Sequence, residues 1–107
     1  MAYTDKAEFK IPRHVVLKGG VNVEALTGAK TLTEASGMVQ ILNPNGGTKV
    51  VNLPAVKDGM MYFIANSGSG GHDLTVTKPD SLTFVVSNGK GLLIACNDTN
   101  WFQVKNA

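Results

Sequence analysis

A chain of 107 residues, 43% hydrophobic and 17% charged, has room for one domain and is too apolar and too weakly charged for disorder. Its net charge of +2 comes from ten Lys or Arg against eight acids. The bases, from Lys6 and Lys10 to Lys90 and Lys105, are scattered rather than drawn into a stripe, and the aromatics are too few and too separated to stack bases, which argues against nucleic acid. Low charge with twelve glycines is typical of β modules that bury surface against copies of themselves.

Met1–Lys10 has mixed charges and no apolar segment, so it does not read as a signal peptide, and no stretch reaches the roughly 18 apolar residues that cross a bilayer. The expectation is a soluble chain made in a cytoplasm, without membrane partners. The first β-prone run spans residues 9–17, and Pro12 removes a backbone donor from its middle. Gly19-Gly20 then breaks it. Residues 1–24 therefore read as an N-terminal arm or edge strand, and residues 25–107 as a β-domain.

Beyond the arm, Lys30–Glu34 suits a solvent-facing strand, and the more apolar Gly37–Leu42 a core strand. Asn43-Pro-Asn-Gly-Gly is a strong turn signal, with Thr48–Leu53 returning as the partner of a hairpin. Met60–Ala65 is apolar on both alternating faces and reads as a central strand. Asn66–Asp73 is too rich in glycine to pack and reads as an exposed loop holding His72 and Asp73. Leu74–Thr77 and Leu82–Val86 alternate with period two, predicting an inward set of Leu74, Val76, Leu82, Phe84 and Val86. Asn88-Gly89 signals a second hairpin, and the Asn97–Asn100 turn joins Leu92–Cys96 to Trp101–Val104. Val21–Leu26 and Leu53–Asp58 each have room for a single helical turn. The fold class is all-β: a small sandwich or barrel of about eight short antiparallel strands with an extended N-terminal arm.

Chemistry-bearing residues are sparse. Catalytic zinc usually needs three protein ligands, and His14, His72 and Cys96 stand on separate elements. Cys96 follows Leu92-Leu-Ile-Ala and reads as a small buried hydrophobe rather than a nucleophile. Asp58, Asp73, Asp80 and Asp98 all fall at turns, where Asp usually accepts from its own backbone. Gly68-Ser-Gly-Gly and Gly89-Lys-Gly lack the spacing and the following helix of a phosphate loop. The expectation is a protein that is not an enzyme and uses no metal or cofactor.

The order Leu53-Pro, Gly59-Met-Met-Tyr-Phe-Ile-Ala-Asn-Ser-Gly-Ser, Leu74-Thr-Val and Gly91-Leu-Leu-Ile-Ala-Cys-Asn-Asp-Thr-Asn-Trp resembles a β-module of tailed-phage structural proteins. In that module a strand ending Ile-x-Asn-x-Gly precedes a Leu-Thr-Val strand, and an Asp-Gly-Thr-Asn-Trp turn leads into the last strand. Here that turn is Asn97-Asp-Thr-Asn-Trp101, without the glycine. The resemblance covers roughly residues 50–104. It implies a capsid decoration (cement) protein of the virion exterior, with itself, as a homotrimer, and the major capsid protein as partners. The capsid-binding arm would use Phe9, Ile11, Pro12, Arg13, Val15, Val16 and Leu17. The alternative is a small receptor- or glycan-binding module of a fibre, with Tyr62, His72, Asp73 and Trp101 as a sugar platform.

Overall fold

The computed structural model describes Val16, Leu17 and Gly19–Asn106. Among these residues there is no helix, and nine short strands form two sheets. The chain passes from one sheet to the other and back. β1 (Val21–Ala25), β3 (Val39–Asn43) and β5 (Met61–Asn66) lie side by side in the first sheet, all parallel. β2 (Lys30–Thr31), β4 (Lys49–Asn52) and β6 (Leu74–Thr77) do the same in the second. Register partners include Val21 with Val39, Val39 with Phe63, Lys30 with Val51 and Lys49 with Leu74. The result is three flattened coils stacked strand on strand.

The stack then reverses. β7 (Thr83–Val86) pairs antiparallel with β6, while β8 (Gly91–Cys96) returns to the first sheet antiparallel to β5. β9 (Trp101–Asn106) closes against β8, with a bulge at Leu93/Ile94. The orders are β1-β3-β5-β8-β9 and β2-β4-β6-β7.

The all-β expectation holds, and the wholly antiparallel one does not: the sheets are mixed, and they do not close into a barrel. Neither expected early hairpin forms. The turn after β3 bends sharply, with Asn45 and Gly46 both at left-handed φ (54° and 87°), but it delivers the chain to the opposite sheet. The Lys49 ammonium donates to the carbonyls of Pro44, Asn45 and Gly47, groups that a hairpin partner does not reach. Gly89, at φ 76°, likewise turns the chain, and its N–H donates to Asn66 of β5, so the turn is anchored across the sandwich. The Asn97–Asn100 hairpin does form. The Asn97 side-chain oxygen accepts from the Thr99 N–H, the Thr99 hydroxyl and the Asn100 N–H, each at 2.9 Å. No residue of that turn has positive φ, which is why it needs no glycine.

Neither candidate helical turn exists. Val21–Ala25 is the edge strand β1, so the last residues of the 1–24 segment belong to the sheet. Within Leu53–Asp58, the Leu53 N–H donates to Thr77, the Lys57 N–H donates to the Cys96 sulfur at 3.4 Å, and the Cys96 thiol donates back to the Lys57 carbonyl at 3.1 Å. Bonds to neighbouring strands thus replace those of a helix. Cys96 is buried and free.

The core is a layer of Leu26, Leu32, Leu42, Val51, Leu53, Ile64, Leu74, Val76, Val86, Leu92 and Ile94 between the sheets. Of the inward set expected from β6 and β7, Leu74, Val76 and Val86 are buried and Phe84 packs partly against the core. Leu82 is exposed, because it sits in a turn: its N–H donates to Asp80 Oδ1 and its carbonyl accepts from Lys78, with Ser81 at φ 74°.

The two ends of the stack differ chemically. Asn66, buried at the end of β5, donates to the carbonyls of His72 (2.8 Å) and Val86 (3.0 Å) and accepts from Gly68. It therefore ties β5, the following loop and β7 together. At the β1–β2 end the inward-facing side chains are polar and partly exposed. Asn22 donates to Gln40 (2.8 Å) and Glu24 (3.1 Å), and Lys30 donates to Glu24 (2.8 Å). The hydrogen bond from Lys30, then that from Asn22, holds the Glu24 carboxyl below the usual carboxylate range.

Two outcomes follow from these ends. Asn66→Ala strips two carbonyls of their donor, one of them buried, and is expected to cost about 1–3 kcal/mol, read as a lowered urea midpoint at unchanged slope. Glu24→Gln should cost less than about 1 kcal/mol at neutral pH, because the Lys30 pair is partly exposed. With its folded value depressed, Glu24 contributes above its unfolded pKa and loses that contribution as pH falls through the folded value. The difference between variant and wild type should therefore disappear in acid.

Candidate interaction surface

Strand alternation places every second residue of the first sheet outward, and apart from Asn43 and Lys105 those residues are apolar. The ladder registers assemble them into rows. One row runs Val21, Val39, Phe63, Leu93 and Lys105, the next Val23, Ile41, Ala65 and Gly91, and a third Met61, Ala95 and Phe102. Across all three rows the only charge is Lys105, on the edge strand. Val23 is 71% exposed, Phe63 46% and Phe102 49%. Beside Phe63, the missing side chain of Gly91 opens a groove of about 420 Å³, lined also by Leu93 and rimmed by Lys90 and Lys105.

The outer face of the second sheet is different. Its registers align Thr31, Asn52, Thr77 and Thr83 in one row and Val50, Thr75 and Val85 in the next. Threonine and asparagine alternate with two valines there, the composition of a strand face that water covers.

The apolar face is stiffened from behind. Tyr62 and Trp101 are 2% and 1% exposed and stack at 5.7 Å between ring centroids, 28° apart. Each has its polar atom paired: the Tyr62 hydroxyl donates to the Thr33 carbonyl (2.6 Å) and the Trp101 indole N–H donates to the Pro54 carbonyl (3.0 Å). Burial first, then the neighbouring Cys96 and Glu34, pushes the Tyr62 phenol pKa upward. The two rings lock β5 and β9 to the loops at 33 and 54. They are structural, so a sugar platform built on Tyr62 and Trp101 is not available.

His72 and Asp73 are half-buried at the other end of the strands. His72 helps line a cavity of about 180 Å³ with Asn43–Gly46 and Gly68–Gly70, and its carbonyl accepts from Asn66. The Asp73 carbonyl accepts from the Lys49 N–H, and its own N–H donates to Thr48 Oγ1. No group of three or more His, Cys, Asp or Glu among the described residues is placed to hold a metal ion. Of the expected arm residues, Phe9, Ile11, Pro12, Arg13 and Val15 lie outside the described residues; Val16 is exposed and Leu17 half-buried.

The chain matches no protein-family model and no curated protein.

The surface residues that sequence reasoning missed are Val21, Val23, Met61, Phe63 and Phe102. Their signal was present in the two-faced apolarity of Met60–Ala65, but that pattern also fits a strand covered on both sides within one chain.

Trp101→Ala is expected to cost about 3–5 kcal/mol, since it removes a buried ring, its stacking partner's contact and the donor to Pro54. Urea denaturation followed by far-UV circular dichroism measures it, and a loss under about 1 kcal/mol would contradict the locking role.

Proposed function

We propose that this chain is a structural virion protein that decorates and stabilises the outside of a phage capsid. It acts as a homotrimer at three-fold or quasi-three-fold positions, bound to the major capsid protein, with no catalytic activity, cofactor, nucleic acid or membrane. The observation that carries the reading is the contrast between its surfaces: an apolar outer face of three rows on one sheet, and a threonine-rich face on the other. A body of this kind works through contact area rather than through a reacting cluster. The resemblance to phage β-modules falls on its load of short strands, β5, β6, β8 and the turn before β9.

In this role the N-terminal residues Phe9, Ile11, Pro12, Arg13, Val15, Val16 and Leu17 supply contacts to the shell, gaining backbone hydrogen bonds from a sheet edge by strand addition. Ordering an extended segment costs about 1–2 kcal/mol per residue, and burial of an apolar side chain offsets roughly 1.5–3 kcal/mol. Each contact is thus modest, and repetition over a lattice supplies the rest.

Gold-labelled antibody against the chain should mark the heads of the parent virions at many sites. Label confined to the tail tip would replace this reading with a receptor-binding one. Removing residues 1–18 should leave a folded protein that no longer coats undecorated shells. Unchanged saturation of those shells by the truncated protein would remove the arm from the mechanism.

A further inference from the structure

We infer that the outer face of the five-stranded sheet is the surface through which copies of this chain associate, with Phe63 at its centre and the Gly91 groove beside it. The inference rests on the proposed self-association and names the surface responsible.

Three observations select another copy as the occupant. The first is exposure. Val21, Val23, Met61, Phe63 and Phe102 lie on this one face at 37–71% exposure, a contiguous run of large apolar side chains where a monomer scatters them singly. The second is composition. A transient interface is about as apolar as the rest of a protein surface, whereas interfaces between permanent copies are richer in apolar residues and lack charge at their centre. Here the rows containing Phe63 and Ile41 hold no charge until Lys105 on the edge strand. The third is relief. Phe63 stands 46% exposed on the central strand beside the groove left by Gly91, a projection next to a recess on one surface. A two-fold contact requires such a self-complementary patch, and a three-fold ring sets the projection of one copy into the recess of the next.

The face also lies on a rigid support, since the residues alternating with it, Tyr62 and Ile64, are core. Changing an outward residue therefore alters the surface without emptying the interior. Phe63→Glu, on the central strand, and Val23→Glu, on the edge strand β1, test two separate parts of the face. Thr75→Glu, on the outer face of the other sheet, is the control.

Sedimentation equilibrium at micromolar concentration reads the association, and far-UV circular dichroism reads the fold. The expected result is an oligomeric wild type, association weakened at least 100-fold in Phe63→Glu and Val23→Glu with the β spectrum retained, and no change in Thr75→Glu. A wild-type dimer that the two substitutions dissociate would uphold this face while overturning the three-fold seat on the capsid. An oligomer that neither folded variant weakens would overturn the face and leave self-association standing. A monomeric wild type would overturn the inference outright.

Discussion

Parallel pairing between successive coils is the constraint on which this structure depends. Two parallel neighbours cannot be joined by a tight turn, because the chain must travel back to the starting end before pairing again. In most proteins a helix makes that return. Here the return is another strand, so that β2 carries the chain back beneath β1 and β3, and β4 beneath β3 and β5. The two sheets are therefore built together, one strand of each per coil. Their inner faces meet throughout, and the leucines and valines between them form one continuous layer.

That arrangement leaves each sheet with one face inside and one outside, and the two outsides have opposite character. The Tyr62–Trp101 stack belongs to the antiparallel end, where β8 and β9 extend the first sheet to five strands against four in the second. The wider sheet bears the apolar face, and the ring pair behind it supplies rigidity without polar strain, because both polar atoms are bonded to backbone carbonyls. Cys96 adds a smaller tie on the same side by exchanging hydrogen bonds with Lys57. The loops at 33, 54 and 57 are fastened to the sheet in this way.

Strand positions were legible in the sequence to a useful degree, since period-two alternation and turn residues report local geometry. Val39–Asn43, Leu74–Thr77, Gly91–Cys96 and the Asn97–Asn100 turn lie where the pattern puts them. Pairing was not legible for the first three coils. Asn45-Gly46 and Asn88-Gly89 have the left-handed capacity of hairpin turns, and both do bend the chain. Which strand is met after the bend depends on contacts from Lys49 and Asn66, one after the turn and the other more than twenty residues before it. The outward apolar face was half legible. A strand with two apolar faces states that both sides want cover, and says nothing about whether that cover comes from the same chain. The buried Asn66 and Gln40 carried no sequence signal, because asparagine and glutamine near turns are ordinarily read as solvated.

The polar pair between β1 and β2 has a consequence for what can be stacked against that end of the described coils. A stack of parallel coils has no intrinsic length, and each end is a template for another. At the far end, antiparallel β7 and β8 halt the repeat by reversing direction. At the near end, a further coil laid over β1 and β2 would have to enclose Glu24 and Lys30 away from water. Desolvating such a pair costs several kcal/mol per ion unless new partners meet both groups. Stacking a second copy end-on against β1 and β2 carries that cost, which favours separate bricks over a fibre.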